Sequence, residues 1–398
     1  MKVLILSCNT GEGHNSCAKA LTERFTAQGI PCETTDALAF ISPGISKLMS
    51  KGHVFIYRNL PGVFDWGYRF SEKHSFFYRK GTPLYALFAS GSKKLARYIN
   101  ENDYDTVICA HVFAGVMMTE AEPMCGKKLF TSFLTTDYTC SPITEVSDLD
   151  LYFIPDERVK KHFTGRGMDE KKLITTGIPI RSDFYSRIPK EEAKAAENVH
   201  AEHKHLVIMC GSMGCGPIRK IVNSISDRLC ADMEMTVVCG NNRNLYRQLS
   251  DLQKKHPNIH IRGYVQNISR LMDSADVYLT KPGGISVTEA STKQLPMVLV
   301  NAVGGCEQYN YDFFTGIGAA ESGDSVEKLI DKCLELLNHP EKREQICQTY
   351  TPDNAAERIV RYMMHVYEDT SQYLTLEKEV PEEERLIREE EGALLYRF

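Results

Sequence analysis

No run in this 398-residue chain approaches the roughly 18 consecutive apolar residues that a membrane-spanning helix needs, so any contact with a bilayer is expected to be peripheral. The opening MKVLILSCNTGEGH carries one lysine and a short apolar run. Glycines and a histidine then stand where a signal peptide would continue, and the segment reads as a first β-strand. Thirteen cysteines occur without one C-x-x-C pair, which argues against a zinc site, and their odd number argues against a disulfide framework. Reduced thiols in a cytoplasm are the simplest reading, with no metal expected. Basic charge is not in excess: a net charge of -5 gives the chain as a whole no electrostatic reason to bind nucleic acid. Both the G-x-G-x-x-G fingerprint and a Walker loop are missing, which removes the best signs of NAD or ATP chemistry.

What is present is alternation. Short β-rich runs alternate with longer helical patterns, the signature of parallel α/β sheets. Strands are expected at 3–7, 106–110, 129–135 and 151–154, then at 206–210, 235–239, 259–264, 277–280 and 297–301, with helices such as 244–255 between them. A polar stretch with two prolines sets the boundary within 180–205, giving one domain over 1–185 and a second over 204–350. A C-terminal helix over 351–370 and an acidic tail over 371–398 follow. Each half opens alike, a strand running into NTGEGH in one and into GSMGCGP in the other, as two Rossmann-like domains facing across a cleft would.

A third glycine turn, TKPGGISVTEA at 280–290, is the most informative. Gly283 and Gly284 would let backbone approach a diphosphate, Lys281 would add charge, and Glu289 could hold ribose hydroxyls. A plain strand–turn–helix with a solvated glutamate has the same appearance.

The stretch GYVQNISRLMDSADVYLTKPGGISVTEA, followed by LPMVLVNAVGGCEQYNYDFFTGIGAA, resembles the donor half of the glycosyltransferase family 28 enzymes that glycosylate diacylglycerol. TGEGHNSCAKAL, TTDYTCSP and TTGIPIR fall in that family's order. The resemblance implies a GT-B fold with an acceptor-binding first domain and a UDP-sugar-binding second domain. It puts the loop at Gly211, Ser212 and Gly214 toward the phosphates, backbone at Val265 on uracil, Glu289 on ribose, and Glu307 and Asn310 near the donor sugar. The implied reaction moves a hexose, glucose rather than galactose, to diacylglycerol with inversion and no cofactor. The chain departs from the family at Cys306, where glutamine is common, at Glu12, where glycine is, and in SPITEV, which has no histidine. A transferase of GlcNAc to a polyprenyl-linked acceptor, and a nucleotide-sugar-binding regulator without turnover, are the alternatives.

On the acceptor side, the glycine turn at Gly11 and Gly13 leads to His14, and a strand leads to Asp137. Either could simply cap a helix. The family pattern makes Asp137 the expected base, with His14 orienting it or the acceptor. Over 51–80 six basic residues oppose two acidic ones, with aromatics between them. Arg58, Trp66, Arg69 and Lys73 in this stretch suit the headgroups of an anionic membrane. The same composition suits single-stranded nucleic acid or a helical excursion with its aromatics in the core. The family places its membrane-facing segment here, so the expected partners are a UDP-sugar, a lipid acceptor and an anionic surface on the cytoplasmic face, with no nucleic acid.

Overall fold

Two parallel sheets of six strands each carry the fold. The first contains β1 (Val3–Ser7), β2 (Cys32–Asp36), β3 (Thr106–Cys109), β4 (Phe130–Leu134), β5 (Leu151–Ile154) and β6 (Leu173–Thr175), in the order β2-β1-β3-β4-β5-β6. The second contains β7 (Lys204–Met209), β8 (Met233–Val238), β9 (Ile259–Arg262), β10 (Val277–Thr280), β11 (Met297–Leu299) and β12 (Glu321–Ser322), in the order β12-β11-β10-β7-β8-β9. This computed structural model describes residues 1–379 except 10, 213, 215 and 301–303, and among them not the side chains of 58 and 369–379.

Helices cover both faces of each sheet, so a central strand must be apolar on both sides. β1 is VLILS with every residue buried, and Val3, Leu4, Ile5 and Leu6 have no exposed surface. The nine strands expected from sequence are present. Three were not foreseen, β2, β6 and β12, and each is a short sheet-edge strand. β2 is CETTD, half open to solvent, so it lacks the apolar run that marks a buried strand.

Each sheet reverses its strand order once, between β1 and β3 in the first and between β7 and β10 in the second. A crevice opens outside the carboxyl ends of the strands at such a point, and ligands bind there. The loops that leave β3, β4, β7 and β10 carry His111, Asp137, Gly211 and Lys281 respectively, and the helix that follows β1 carries His14 in its first turn.

The helix Ala355–Glu379 returns to the first domain, burying Ile359 and Met363. It is fixed there by a Glu357–Arg24 ion pair and by Arg358 donating to the Thr175 carbonyl at 2.9 Å. The segment expected as an acidic tail from 371 is helical as far as Glu379, and the rest of that tail lies outside the described residues. Between β2 and β3 the chain makes a helical excursion that includes Pro43–Asn59, Pro61–Lys73 and Pro83–Ala89. Each starts with a proline, whose fixed φ suits a first helical turn and whose missing N–H costs nothing there.

Candidate active site

Three adjoining cavities run through the cleft. The middle one, about 310 Å³, is lined by His14, Thr136 and Asp137 from the first domain and by Lys281, Gly283, Glu289, Cys306 and Glu307 from the second. It shares Gly211, Ser212 and Glu289 with a cavity of about 300 Å³ that ends at Tyr264 and Val265. It shares His14, Asp137, His53, His111 and Cys306 with one of about 440 Å³, whose walls are largely Ile56, Val63, Phe64, Trp66, Val112 and Phe113.

The helix Gly284–Thr292 begins at the middle cavity and buries Glu289, whose carboxylate accepts no hydrogen bond from any described residue. Burial pushes its pKa up to about 8, with Asp183 adding to the shift and Arg181 opposing it. Glu12–Ala27 begins at the same cavity. Two helix N-termini, each with free N–H groups and a positive dipole end, therefore converge on this cavity, an arrangement that suits an anion. Gly284 has a further reason to be glycine. A Cβ there would lie 2.1 Å from the Thr136 carbonyl oxygen, so the two domains meet only over a bare backbone. Gly211 sits at φ +71° against Lys281.

Lys281 is committed to protein partners: it pairs with Glu307 and donates to the Tyr57 hydroxyl at 2.6 Å. Burial disfavours its charge, yet Glu307 and Tyr57 outweigh that and hold the ammonium well above its usual range. Gly214 is placed apart from the cleft. It lines a separate 620 Å³ hollow with Arg219 and Asn242, at φ +55° against the Cys239 carbonyl, so its backbone conformation accounts for the glycine. Asn310 does not line the cleft cavities either. Fully buried, it donates to Asp137 Oδ1 at 2.8 Å and to the Pro282 carbonyl at 2.9 Å, and accepts from the Tyr138 N–H at 2.7 Å. It pins the carboxylate of one domain with the amide of the other.

His14 Nδ1 lies 2.7 Å from the Ala110 carbonyl. A carbonyl only accepts, so Nδ1 carries the proton and Nε2 keeps a lone pair. Burial lowers the His14 pKa, with Asp137 opposing, and the ring is neutral near pH 7. His111 takes the opposite tautomer, because its Nδ1 accepts from the Phe113 N–H at 3.2 Å. The two rings meet edge to face at 4.7 Å. Neither His111 nor His53 was singled out from sequence. The position of His111, at the carboxyl end of a strand beside the order reversal, was the available signal.

On the excursion, Trp66 is 66% exposed and stacks on Phe70, and Phe55, Phe76 and Phe77 are exposed as well. Tyr57 and Tyr85 are buried, so the aromatics divide between surface and core. Lys73 is exposed, whereas Arg69 is paired with Asp65 at 2.8 Å. The Arg58 side chain lies outside the described residues. Gly11 and Gly13 open the first helix, and Gly13 faces Ile285 of the other domain.

Residues 14–180 match the family Monogalactosyldiacylglycerol (MGDG) synthase, and residues 205–358 match the Glycosyltransferase family 28 C-terminal domain. A processive diacylglycerol beta-glucosyltransferase of Bacillus pumilus is 30% identical over 356 residues, covering 87% of this chain and 89% of that protein. The chain belongs to glycosyltransferase family 28. This transferase is also 29% identical to a processive diacylglycerol beta-glucosyltransferase of Bacillus cereus, over 90% of this chain and 93% of that one. Among solved structures, Acinetobacter baumannii MurG aligns with a TM-score of 0.59 at 16% identity over 92% of this chain and 99% of its own. A UDP complex of Staphylococcus aureus MnaA aligns at 0.61 and 13% identity, over 92% and 97%. At these identities the structures speak to fold, and the fold of the transferase is GT-B.

One group among its described residues could ligate a metal: His200, His203 and Glu234. None of the three lines the cleft, and Glu234 already accepts from His203 at 2.9 Å and from His260 at 2.6 Å. No described helix of the transferase is long and apolar enough to cross a membrane.

Proposed function

We propose that this transferase moves a hexose from a UDP-sugar to the hydroxyl of diacylglycerol, with inversion, while lying on a membrane surface. The observation that carries the reading is the continuity of the three cavities: a polar one at Glu289 and Val265, an apolar one at Trp66 and Phe113, and His14 with Asp137 between them. A polar, charged donor and an acyl-chain acceptor need that division, with the reacting atoms at the junction.

On this reading the ribose hydroxyls donate to Glu289, uracil pairs with backbone at Val265, and the diphosphate meets the two helix N-termini and the Gly211–Ser212 backbone. The acceptor oxygen attacks the anomeric carbon as its proton passes to His14 Nε2. The bond from that carbon to the diphosphate breaks, and UDP leaves with the electron pair. The fixed tautomer supports His14 as the group that takes the proton. Asp137, held by Asn310, then stabilises the imidazolium and the positive charge that develops on the sugar. The donor sugar is the only cosubstrate this mechanism calls for.

The names of the Bacillus relatives support glucose as the hexose. The exposed aromatic surface at Trp66, Phe70 and Phe77 supports peripheral attachment to a bilayer. Incubation with UDP-glucose, UDP-galactose or UDP-GlcNAc and diacylglycerol in anionic vesicles, followed by mass analysis of the lipid, tests the proposal. A hexosyl diacylglycerol is the expected product. Transfer of GlcNAc alone, and only to a polyprenyl acceptor, would replace this reading with peptidoglycan-precursor synthesis.

A further inference from the structure

The helix Pro61–Lys73 has two faces with different work. Val63, Trp66 and Phe70 recur at helical spacing and are exposed. Phe64, Asp65 and Tyr68 lie on the other face and meet the second domain at the turn before the helix Cys306–Gly316. Asp65 Oδ1 accepts from the Gly305 N–H at 2.9 Å, while Arg69 holds its Oδ2 at 2.8 Å. Gly304 and Gly305 have φ of +79° and +62°. A Cβ on Gly304 would lie 2.4 Å from Asp65 Oδ1, and one on Gly305 would lie 3.0 Å from the Phe64 ring. The turn is shaped to receive this helix.

The preceding helix, Pro43–Asn59, adds a second contact: the Tyr57 hydroxyl donates to Glu307 Oε1, which Lys281 also holds. The other carboxylate oxygen, Oε2, is buried without a partner among the described residues, in a side chain that lines the middle cavity. Glu307 is 4% exposed. A buried carboxylate oxygen with no donor is costly, and a ligand hydroxyl in the cavity is the group that would satisfy it.

We infer that the two excursion helices complete the donor-sugar subsite, with Asp65 and Tyr57 as positioning residues that hold the Gly304–Gly305 turn and Glu307 so that Oε2 meets a hydroxyl of the transferred sugar. The inference rests on the UDP-hexose reading above and extends it: the domain that takes the acceptor also shapes the pocket for the sugar, while uridine is held by the second domain. Sugar recognition is then lost separately from nucleotide recognition.

The experiment compares UDP and UDP-glucose affinities by calorimetry, with transfer kinetics to diacylglycerol vesicles, for the full chain and its variants. Asp65→Ala and Tyr57→Phe are expected to leave the UDP Kd within about twofold and to weaken UDP-glucose roughly tenfold, the scale of one hydrogen bond to a charged group. Asp65→Asn, which still offers an oxygen to the Gly305 N–H, should recover most of the loss. Unchanged UDP-glucose affinity in both variants, equal weakening of UDP and UDP-glucose, or failure of asparagine to rescue overturns the inference. Tyr57→Phe removes one oxygen and keeps the ring, so the test stands even if Asp65→Ala does not fold. Failure of the unsubstituted protein to bind UDP at all would refute the donor reading itself and this inference with it.

Discussion

If Glu289 receives the ribose hydroxyls, donor affinity must depend on pH in a way that this residue alone explains. Its carboxyl is buried and its pKa is raised to about 8, so the empty site at neutral pH holds mostly the protonated form. A pKa of 8 leaves about 1% ionised at pH 6, about 9% at pH 7 and about 90% at pH 9. Two hydroxyls donating to a carboxylate favour the ionised form, and binding only that form divides the intrinsic Kd by the ionised fraction, which weakens apparent affinity where that fraction is small. The Kd for UDP-glucose should therefore fall about tenfold per unit as pH rises from 6 towards 8, and level off above it. UDP-glucose is the right ligand because its diphosphate diester does not titrate in this range, whereas the terminal phosphate of UDP does. Ionising Glu289 at pH 7 costs about 1.4 kcal/mol, against about 1.5–3 kcal/mol from the charged hydrogen bonds. Glu289→Gln should accordingly lose at most ~1.5 kcal/mol of donor affinity at pH 7 but the full ~1.5–3 kcal/mol at pH 9, with no slope between. Calorimetry at four pH values in matched buffers measures this. A flat Kd in the unsubstituted protein, or the same slope in Glu289→Gln, would refute the assignment of Glu289 to the ribose.

The same carboxyl links stability to pH. Its folded pKa lies above the unfolded value, so the free protein should lose stability as pH rises from about 4.3 to 8, and thermal melts of Glu289→Gln should lack that component. His14→Ala should keep donor affinity while turnover falls roughly 10²-fold or more, and with UDP-glucose saturating, so that Glu289 no longer limits the rate, the acid limb of kcat/KM for diacylglycerol should lie below the ordinary histidine pKa, with activity lost as pH falls through it. Asp137→Asn should likewise leave UDP bound and depress turnover; normal turnover in His14→Ala would show that another group takes the proton, and normal turnover in Asp137→Asn would remove its carboxylate from charge stabilisation. Gly284→Ala drives a Cβ against the Thr136 carbonyl and should abolish transfer by parting the domains, while Gly316→Ala, with no atom within 4 Å of its Cβ, should be silent in the same assay. Binding to anionic vesicles should weaken with salt and weaken further in Lys73→Glu with Arg79→Glu, two of the basic residues of 51–80 whose side chains are exposed, each charge contributing about 1 kcal/mol, and co-sedimentation indifferent to both changes would remove the excursion from the membrane.

Much of the fold was legible because it depends on local pattern. Strands buried on both faces, such as Val3–Ser7 and Val277–Thr280, are continuous apolar runs, and any reading of periodicity finds them. Edge strands such as Cys32–Asp36 are polar and short, and only their neighbours make them strands. The site divided in the same way. Gly283, Gly284, Glu289, Glu307, His14 and Asp137 lie in motifs, and the structure brings them to one cavity. Tyr57 and Asp65 carry no such mark, because each acquires its partner in the other domain through tertiary packing: Tyr57 is bonded to a residue 250 positions along the chain and Asp65 to one 240 along. Asn310 was expected near the donor sugar, and its bond to Asp137 across the cleft is a relation that spacing along the chain does not encode.

The glycines show why such a site resists reading from a single motif. A bare backbone at Gly283 and Gly284 suits a phosphate, and that reasoning singled out the turn. Yet Gly284 and Gly304 are also the positions at which the two domains touch, against Thr136 and Asp65 respectively. Closure of the cleft and approach to the ligand demand the same missing Cβ, because the ligand lies in the seam between the domains. Widening that seam by a single methyl at Gly284 would separate Asp137 from Asn310, whose 2.8 Å hydrogen bond crosses it. The carboxylate would then lose the amide that orients it. Donor grip, domain closure and the setting of Asp137 are therefore coupled through one short turn, and a substitution there should alter all three together.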